Sequence, residues 1–403
     1  MKYIILIGDG MADRPLKELG GRTCLQAAKT PNMDKIASEG EAGILSTIPK
    51  GFSPGSDVAN LSILGYNPSK YYSGRAPLEA AYRGIKLASR DVAYRCNLVT
   101  LKNLADKKNT IMEDYSSGHI TTDEAGILIK EINDRLGSRE ISFYPGISYR
   151  HIMVWRNGKH KIQCTPPHDI TGRKINNHLP AGKGSDILNT LMEKSREVLI
   201  THPVNKKRVR QGLNPANSIW LWGQGKKSSI PYFKDKYGLK GALISAVDLT
   251  KGLGVCAGFK IINVKGATGY LDTNYIGKAN AALRSLKTVD IVYLHVEAPD
   301  EAGHNGDIKS KIQAIEDFDS KVVGTILKGI RVFKDYRILV LPDHATPIEV
   351  RTHTDEPVPF AIYDSRIKRK NDGVTFDESI AKKKGMKIFE QGYKLMGYFV
   401  RGV

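Results

Sequence analysis

Three short strings, far apart along the chain, carry the residues best suited to chemistry. They are Ile5-Leu6-Ile7-Gly8-Asp9-Gly10, Glu297-Ala298-Pro299-Asp300-Glu301-Ala302-Gly303-His304, and Leu341-Pro342-Asp343-His344 with Thr352-His353-Thr354 just beyond. Each contains or follows a β-branched apolar run, which places Asp or His at the C-terminal end of a buried strand. Open α/β sheets build their active sites at that edge. Three aspartates (Asp9, Asp300, Asp343) and three histidines (His304, His344, His353) brought to one edge would form a hard, anionic pocket fitted to two divalent cations.

Singly, each of these residues is ordinary. An Asp between two glycines, such as Asp9, is a common turn residue. The Asp-x-x-x-His spacing of Asp300 and His304 puts both side chains on one side of a helical turn. Asp343 and His344 are adjacent at a strand end and point opposite ways, so they would reach two neighbouring metals, or one metal from a bent backbone. His353, between threonines, reads alone as a loop histidine. The set points to metal because every member falls at a strand end.

Ser56, in Ser53-Pro54-Gly55-Ser56-Asp57-Val58-Ala59-Asn60, supplies a nucleophile. A serine after glycine and before an apolar helix is normally an N-cap. That position also offers free N–H groups and positive potential, which favour a bound phosphate and a serine alkoxide. The hydroxyl becomes nucleophilic at neutral pH only when a base or a metal activates it. Two divalent cations would balance three carboxylates and one alkoxide. A phosphate arriving at that neutral site needs added cations such as arginine. The chemistry expected is two-metal phosphoryl transfer.

The elements that must position these groups alternate. Tyr3 to Ile7 reads as a strand, Pro31 opens a helix capped by Thr30 or Asn32 and stopped by Gly40, and a second helix runs from near Ser56 to Leu64. Strands at 290–296, 336–341 and 359–363 and an amphipathic helix at 309–328 repeat the pattern. This rhythm predicts an α/β fold with a mostly parallel sheet and helices on both faces. From about 91 to 214 the pattern changes to alternating β-type stretches, such as 92–100 and 149–155, separated by proline-bearing loops. No metal-ligand candidate falls there. The expected organisation is a discontinuous core, 1–90 with 215–403, and a smaller inserted α+β domain at 91–214 that binds substrate and acts as a lid. Gly223-Gln224-Gly225-Lys226-Lys227-Ser228 lacks the phosphate-loop spacing and reads as a loop after a strand at 219–222.

Composition sets the outer limits. The 403 residues, 41% hydrophobic and 26% charged, suit a globular chain with a large core. No apolar stretch is long enough to span a bilayer, and the N-terminal run breaks into Gly8-Asp9-Gly10 too early for a signal peptide. The four cysteines lie far apart without Cys-x-x-Cys spacing, so a cytoplasmic protein with reduced thiols is expected. Lys and Arg number 61 against 42 Asp and Glu, a net charge of +19. Much of the excess sits in runs such as Lys206-Lys207-Arg208, Arg366 to Lys370 and Lys382-Lys383-Lys384. These runs lack interleaved aromatics that would stack bases, which argues against nucleic acid and for solvated faces or attraction of small anions. Nothing in the pattern speaks to oligomeric state.

Taken in order, Gly-Asp-Gly, Pro-Gly-Ser-Asp-Val-Ala-Asn, Ala-Pro-Asp-Glu-Ala-Gly-His, Pro-Asp-His and Thr-His-Thr resemble the archaeal-type cofactor-independent phosphoglycerate mutases of the alkaline phosphatase superfamily. The resemblance spans essentially the full length. It implies an alkaline phosphatase-like core and a metal-bound phosphoserine at Ser56, with 3-phosphoglycerate and 2-phosphoglycerate interconverted and no 2,3-bisphosphoglycerate required. One metal would be held by Asp9, Ser56, Asp343 and His344, and the other by Asp300, His304 and His353. The ions implied are Mn2+ or Mg2+, with Zn2+ or Co2+ as alternatives. In the inserted domain, Arg95 and Asn97 match the family's Arg-Cys-Asn stretch, and Arg150 with His151 forms a second basic pair for the substrate. One departure stands out: where archaeal mutases carry Asp-Arg-Arg-Ala-Gly-Arg, this chain reads Glu113-Asp114-Tyr115-Ser116-Ser117-Gly118-His119, without arginine. That loss of bidentate donors leaves room for a homoserine kinase-like phosphotransferase as the alternative. A non-enzymatic basic binding protein is the third reading, and it leaves the ligand set unexplained.

Overall fold

The computed structural model describes residues 1–371, 373–383 and 385–402, so Lys384 of the third basic run lies outside the described residues. The strands in chain order are β1 (Lys2–Gly8), β2 (Glu41–Leu45), β3 (Val92–Lys102), β4 (Ile111–Asp114), β5 (Ile141–Ile147), β6 (Arg150–Trp155), β7 (Ser218–Lys226), β8 (Gly241–Ile244), β9 (Lys260–Ile261), β10 (Ile291–Val296), β11 (Tyr336–Leu341), β12 (Val358–Asp364) and β13 (Lys387–Phe389). The chain divides into two units, Met1–Tyr72 with Ser229–Val403, and Ser73–Ser228.

The first unit is built on an eight-stranded sheet of order β13-β2-β12-β11-β1-β10-β8-β9. β1 pairs in parallel with both β10 and β11, and β12 alone runs against its neighbours β11 and β2. β10 and β11 are buried along their whole length, as the near-continuous Ile/Val/Leu runs require of strands covered on both faces. The helix Pro31–Glu39 ends at Gly40 as its sequence predicts, but its cap differs. Thr30 makes no capping bond. Instead the buried carboxylate of Asp319 accepts from the backbone N–H of Met33 at 2.7 Å and of Asn32 at 3.2 Å. Asp319 lies in a π-helical stretch, Phe318–Val323, that interrupts the helix expected over 309–328.

The second unit carries an antiparallel sheet in which the long β3 pairs with β6, β7 and β4. The helices Thr122–Leu136 and Ser185–Ile200 cover one face, burying Leu128, Ile129, Leu188 and Leu191 against Cys96, Leu98 and Met153. The helix Arg75–Tyr82 packs Ala76 and Ala80 on Ala93 and Ile152 from the other side. That helix and β7 therefore group with residues 73–228, whereas composition places the joints at 90/91 and 214/215. β7 also runs on through Gly223 to Lys226 instead of ending as a loop, because Ala93 and Val92 continue its ladder with Gly225 and Lys226.

Candidate two-metal active site

Register brings the motifs together. Ile7 lies level with His295 on β10 and with Leu341 on β11, so the segments after β10, β1 and β11 leave the sheet side by side. Asp9 follows β1 directly, its backbone N–H bonded to Val296 O at 2.9 Å. After β10, Pro299 at the first turn starts a helix, Ala298–Asn305, that presents Asp300 and His304 one turn apart. After β11 come Pro342, Asp343 and His344, and the loop returns with His353.

Gly10 marks how tightly these segments approach. Its φ of +62° is left-handed, and a Cβ there would fall 2.6 Å from Thr346 Oγ1 and 2.7 Å from Asp300 Oδ1. Only glycine fits.

Three sets of ligand atoms lie within 4.8 Å of one another: Asp300, His304 and His353; Asp9, Asp300 and His344; and Asp9, His295 and Asp343. The six Asp and His side chains expected to ligate metal are thus in one place. His304 Nε2 stands 3.2 Å from Asp300 Oδ2 and 3.0 Å from His353 Nε2. Its Nδ1 donates to Arg351 O at 3.0 Å, which orients the ring with Nε2 toward the cluster. His344 Nε2 lies 3.4 Å from Asp9 Oδ1 and 3.1 Å from Ser56 Oγ. Asp9 Oδ1 is buried and accepts no hydrogen bond. Carboxylate oxygens and imidazole nitrogens converging on one place, with the buried Asp9 Oδ1 left without a donor, fit divalent cations.

The electrostatics differ among the ligands. Burial lowers His304, but the hydrogen bond and charge of Asp300 outweigh it and raise the ring to about 9, so a cation bound there displaces a proton. Burial, with Asp343 and Asp300 alongside, pushes Asp9 well above the usual carboxylate range. Burial acts the same way on Asp300, but His353 and His304 outweigh it and hold that carboxyl well below its ordinary value. Burial pushes His344 down to about 4 against the pull of Asp343, so its ring is neutral and able to ligate.

Ser56 is the first residue of the helix Ser56–Ile63, and Gly55, not Ser56, is its N-cap. The serine hydroxyl makes no capping bond and points at His344 instead. One turn on, Asn60 Nδ2 donates to Asp343 Oδ2 at 2.8 Å and to Ser56 O at 2.7 Å, while Asn60 Oδ1 accepts from the Tyr293 hydroxyl.

Two members of this cluster escaped sequence reasoning. His295 is fully buried on β10 with Nε2 3.1 Å from Asp9 Oδ2. Asn60 holds Asp343. The signal for His295 was its place in β10, two residues before Glu297, in a strand otherwise apolar. For Asn60 it was the spacing of four from Ser56, which puts both on one helix face.

In the second unit the four substrate candidates separate. Register pairs Asn97 with Arg150 and Cys96 with His151. Arg150 therefore shares the face of Arg95 and is exposed, whereas His151 turns to the helix-covered side with Cys96. His151 is buried, accepts from Gly146 N–H at 2.9 Å, and is pushed down to about 3 by burial, so it is no cation. Asn97 is also buried; its Oδ1 accepts from Trp222 Nε1 at 3.0 Å and its Nδ2 donates to Tyr115 O. Alternation along the strand decides the fate of His151, whereas Asn97 shares the Arg95 face and is taken up by Trp222; residue type alone shows neither. Arg95 stacks over the Trp222 ring at 4.3 Å and meets Glu79 at 3.2 Å. The arginine-free segment 113–119 is the end of β4 and the turn after it, in which Asp114 accepts from Ser116 N–H and Asn214, with Arg208 donating to Ser117 O at 2.7 Å.

A family model described as 2,3-bisphosphoglycerate-independent phosphoglycerate mutase matches residues 37–205. A 2,3-bisphosphoglycerate-independent phosphoglycerate mutase of Methanosarcina barkeri is 55% identical over 403 residues, covering 100% of both chains. A second, from Methanothermobacter thermautotrophicus, is 51% identical over 361 residues, 89% of this chain and 88% of its own. Among solved structures, a Pyrococcus horikoshii protein matches with TM-score 0.82 at 32% identity, over 99% of this chain and 96% of the other. The cofactor-independent phosphoglycerate mutase of Thermoplasma acidophilum matches with TM-score 0.64 at 28% identity, over 100% and 99%. Identity at this level across the whole length decides the matter: this chain belongs to the 2,3-bisphosphoglycerate-independent phosphoglycerate mutase family.

Proposed function

We propose that the protein interconverts 3-phosphoglycerate and 2-phosphoglycerate through a phosphoserine on Ser56, without 2,3-bisphosphoglycerate. The observation that carries this reading is Ser56 Oγ, free of any capping duty and 3.1 Å from His344 Nε2 inside the ligand cluster. In this reading Asp9, Ser56, Asp343 and His344 hold one divalent cation and Asp300, His304 and His353 the other. The mixed carboxylate and imidazole donors suit Mn2+ or Mg2+, with Zn2+ or Co2+ as alternatives. Bound cations would supply Lewis acidity and lower the pKa of the serine hydroxyl.

The chain's own groups account for the rest. Ser56 Oγ bonds to phosphorus as the bond to the substrate's ester oxygen breaks, and the serine proton is balanced by one taken up on that oxygen. After the glycerate turns, its other hydroxyl accepts the phosphoryl group and its proton returns to Ser56. Free N–H groups at the start of the Ser56–Ile63 helix stabilise the phosphate in transit. Arg95 and Arg150 bind the substrate's anionic groups. Asn97 acts one step behind, fixing the Trp222 ring on which Arg95 stacks, and His151 props the β5–β6 hairpin. Among the described residues no helix is long and apolar enough to cross a membrane, and no disulfide joins any of the four cysteines; a cytoplasmic location belongs to the same reading.

The test is turnover. With Mn2+, the protein should convert 3-phosphoglycerate to 2-phosphoglycerate, lose that activity in EDTA and recover it when Mn2+ is returned. Phosphorylation of homoserine by ATP, with phosphoglycerate untouched, would overturn the assignment in favour of the kinase.

A further inference from the structure

Lys311, on the helix Ile308–Asp317, is 0% exposed. An ammonium so placed is costly unless every proton finds an acceptor. Here each does: Nζ donates to Asp13 Oδ2 at 2.8 Å, to Thr346 O at 2.8 Å and to Ala12 O at 3.2 Å. These acceptors come from the two segments that carry the ligand cluster. Ala12 and Asp13 follow Asp9 along the segment after β1, and Thr346 follows His344 along the segment after β11. Asp13 tightens the same join, its Oδ1 accepting from Ile348 N–H at 3.2 Å and Arg14 N–H at 2.8 Å. Thr346 N–H reaches Ala12 O at 3.3 Å.

Thr346 passes this placement into the site. Its hydroxyl donates to Asp300 Oδ1 and lies 3.3 Å from His344 Nδ1. The residue has no slack, because a Cβ on Gly303 would fall 2.6 Å from Thr346 O and one on Gly10 2.6 Å from Thr346 Oγ1. Lys311 itself touches none of the six ligand side chains.

We propose that Lys311 is a positioning residue: it clamps the segment after β1 to the segment after β11 and thereby sets the spacing of the two cation sites. The proposal rests on the two-metal reading of the cluster. Lys311→Met keeps the length of the side chain and removes all three donors. It should keep the secondary structure by circular dichroism yet bind Mn2+ at least tenfold more weakly by calorimetry, and shift the visible spectrum of the Co2+-loaded protein. Its kcat should fall more than tenfold while KM for 3-phosphoglycerate stays within threefold, since the substrate arginines are untouched. If the lone charge of Asp13 prevents Lys311→Met from folding, the pair Asp13→Leu with Lys311→Met removes both charges, a replacement that buried ion pairs commonly tolerate. The same weakened metal binding is expected there. A folded variant with wild-type Mn2+ affinity and Co2+ spectrum overturns the clamp. Wild-type protein that takes up fewer than two Mn2+ overturns the two-metal reading instead, so the two failures are told apart.

Discussion

Asn60 offers a perturbation in which stability and metal binding part company. It is 1% exposed and satisfies both ends of its amide: Nδ2 donates to Asp343 Oδ2 and Ser56 O, and Oδ1 accepts from Tyr293. Asn60→Leu fills the same space and removes all three bonds. A hydrogen bond to a carboxylate is worth about 1.5–3 kcal/mol, and the stranded Tyr293 hydroxyl costs about 1–3 kcal/mol more. Adding Tyr293→Phe takes away the stranded hydroxyl, so the double variant should regain about 1–3 kcal/mol in urea unfolding measured in EDTA. Metal affinity should not follow, because Asp343 still lacks its donor. Both variants should bind Mn2+ about 10- to 100-fold more weakly by calorimetry. Equal stability of the single and double variants, or Mn2+ affinity within threefold of wild type, would refute the reasoning.

Ser56→Ala should abolish mutase turnover without unfolding the protein, since little packing is lost; a loss of about tenfold or less would make the serine a mere helix start. Arg95→Lys should raise KM for 3-phosphoglycerate, by about tenfold, because an ammonium reproduces neither the stack on Trp222 nor a bidentate grip; an unchanged KM removes Arg95 from the site. Burial pushes the Glu378 carboxyl up to about 7 from an ordinary 4.5. A carboxyl raised on folding stabilises the protein fully below pH 4.5 and loses that contribution as pH rises through 7, on the order of 3 kcal/mol. Glu378→Gln should therefore flatten the dependence of Tm on pH between 4.5 and 7, and an unaltered slope counts against it.

What could be read from the chain divides along a physical line. Strand ends announce themselves, because an apolar β-branched run that stops at Asp or His marks where a buried strand leaves its sheet, and Asp9, Asp300 and Asp343 were legible for that reason. Register among β11, β1 and β10 then brings those ends level. Strand interiors are different. β10 is covered on both faces, so it shows no alternation to reveal that His295 and Tyr293 turn toward the cluster. In β3 and β6 the residue types at Asn97 and His151 suggested substrate contact, while the pleat sends His151 under the helices and Trp222 takes up Asn97 on the Arg95 face. The cap Asp319 lies 287 residues from Asn32, and the clamp Lys311 lies 298 from Asp13 and 35 from Thr346, beyond any local pattern. The joints at 72/73 and 228/229 rest on the packing of Arg75–Tyr82 against β3 and on the pairing of β7 with β3, neither of which is a local pattern.

The interrupted first unit has a consequence for synthesis. β1 is made long before either of its partners, since β10 and β11 both lie beyond residue 290. Translation at about 5–20 residues per second leaves β1 unpaired for roughly 20–70 s before Leu341 is added. Residues 73–228, whose sheet partners are all their own, can fold during that wait. An apolar strand with two open edges is meanwhile a template for wrong pairing. The hazard is thus made well before its remedy, and a ribosome stalled between β1 and β11 leaves Asp9 without Asp343.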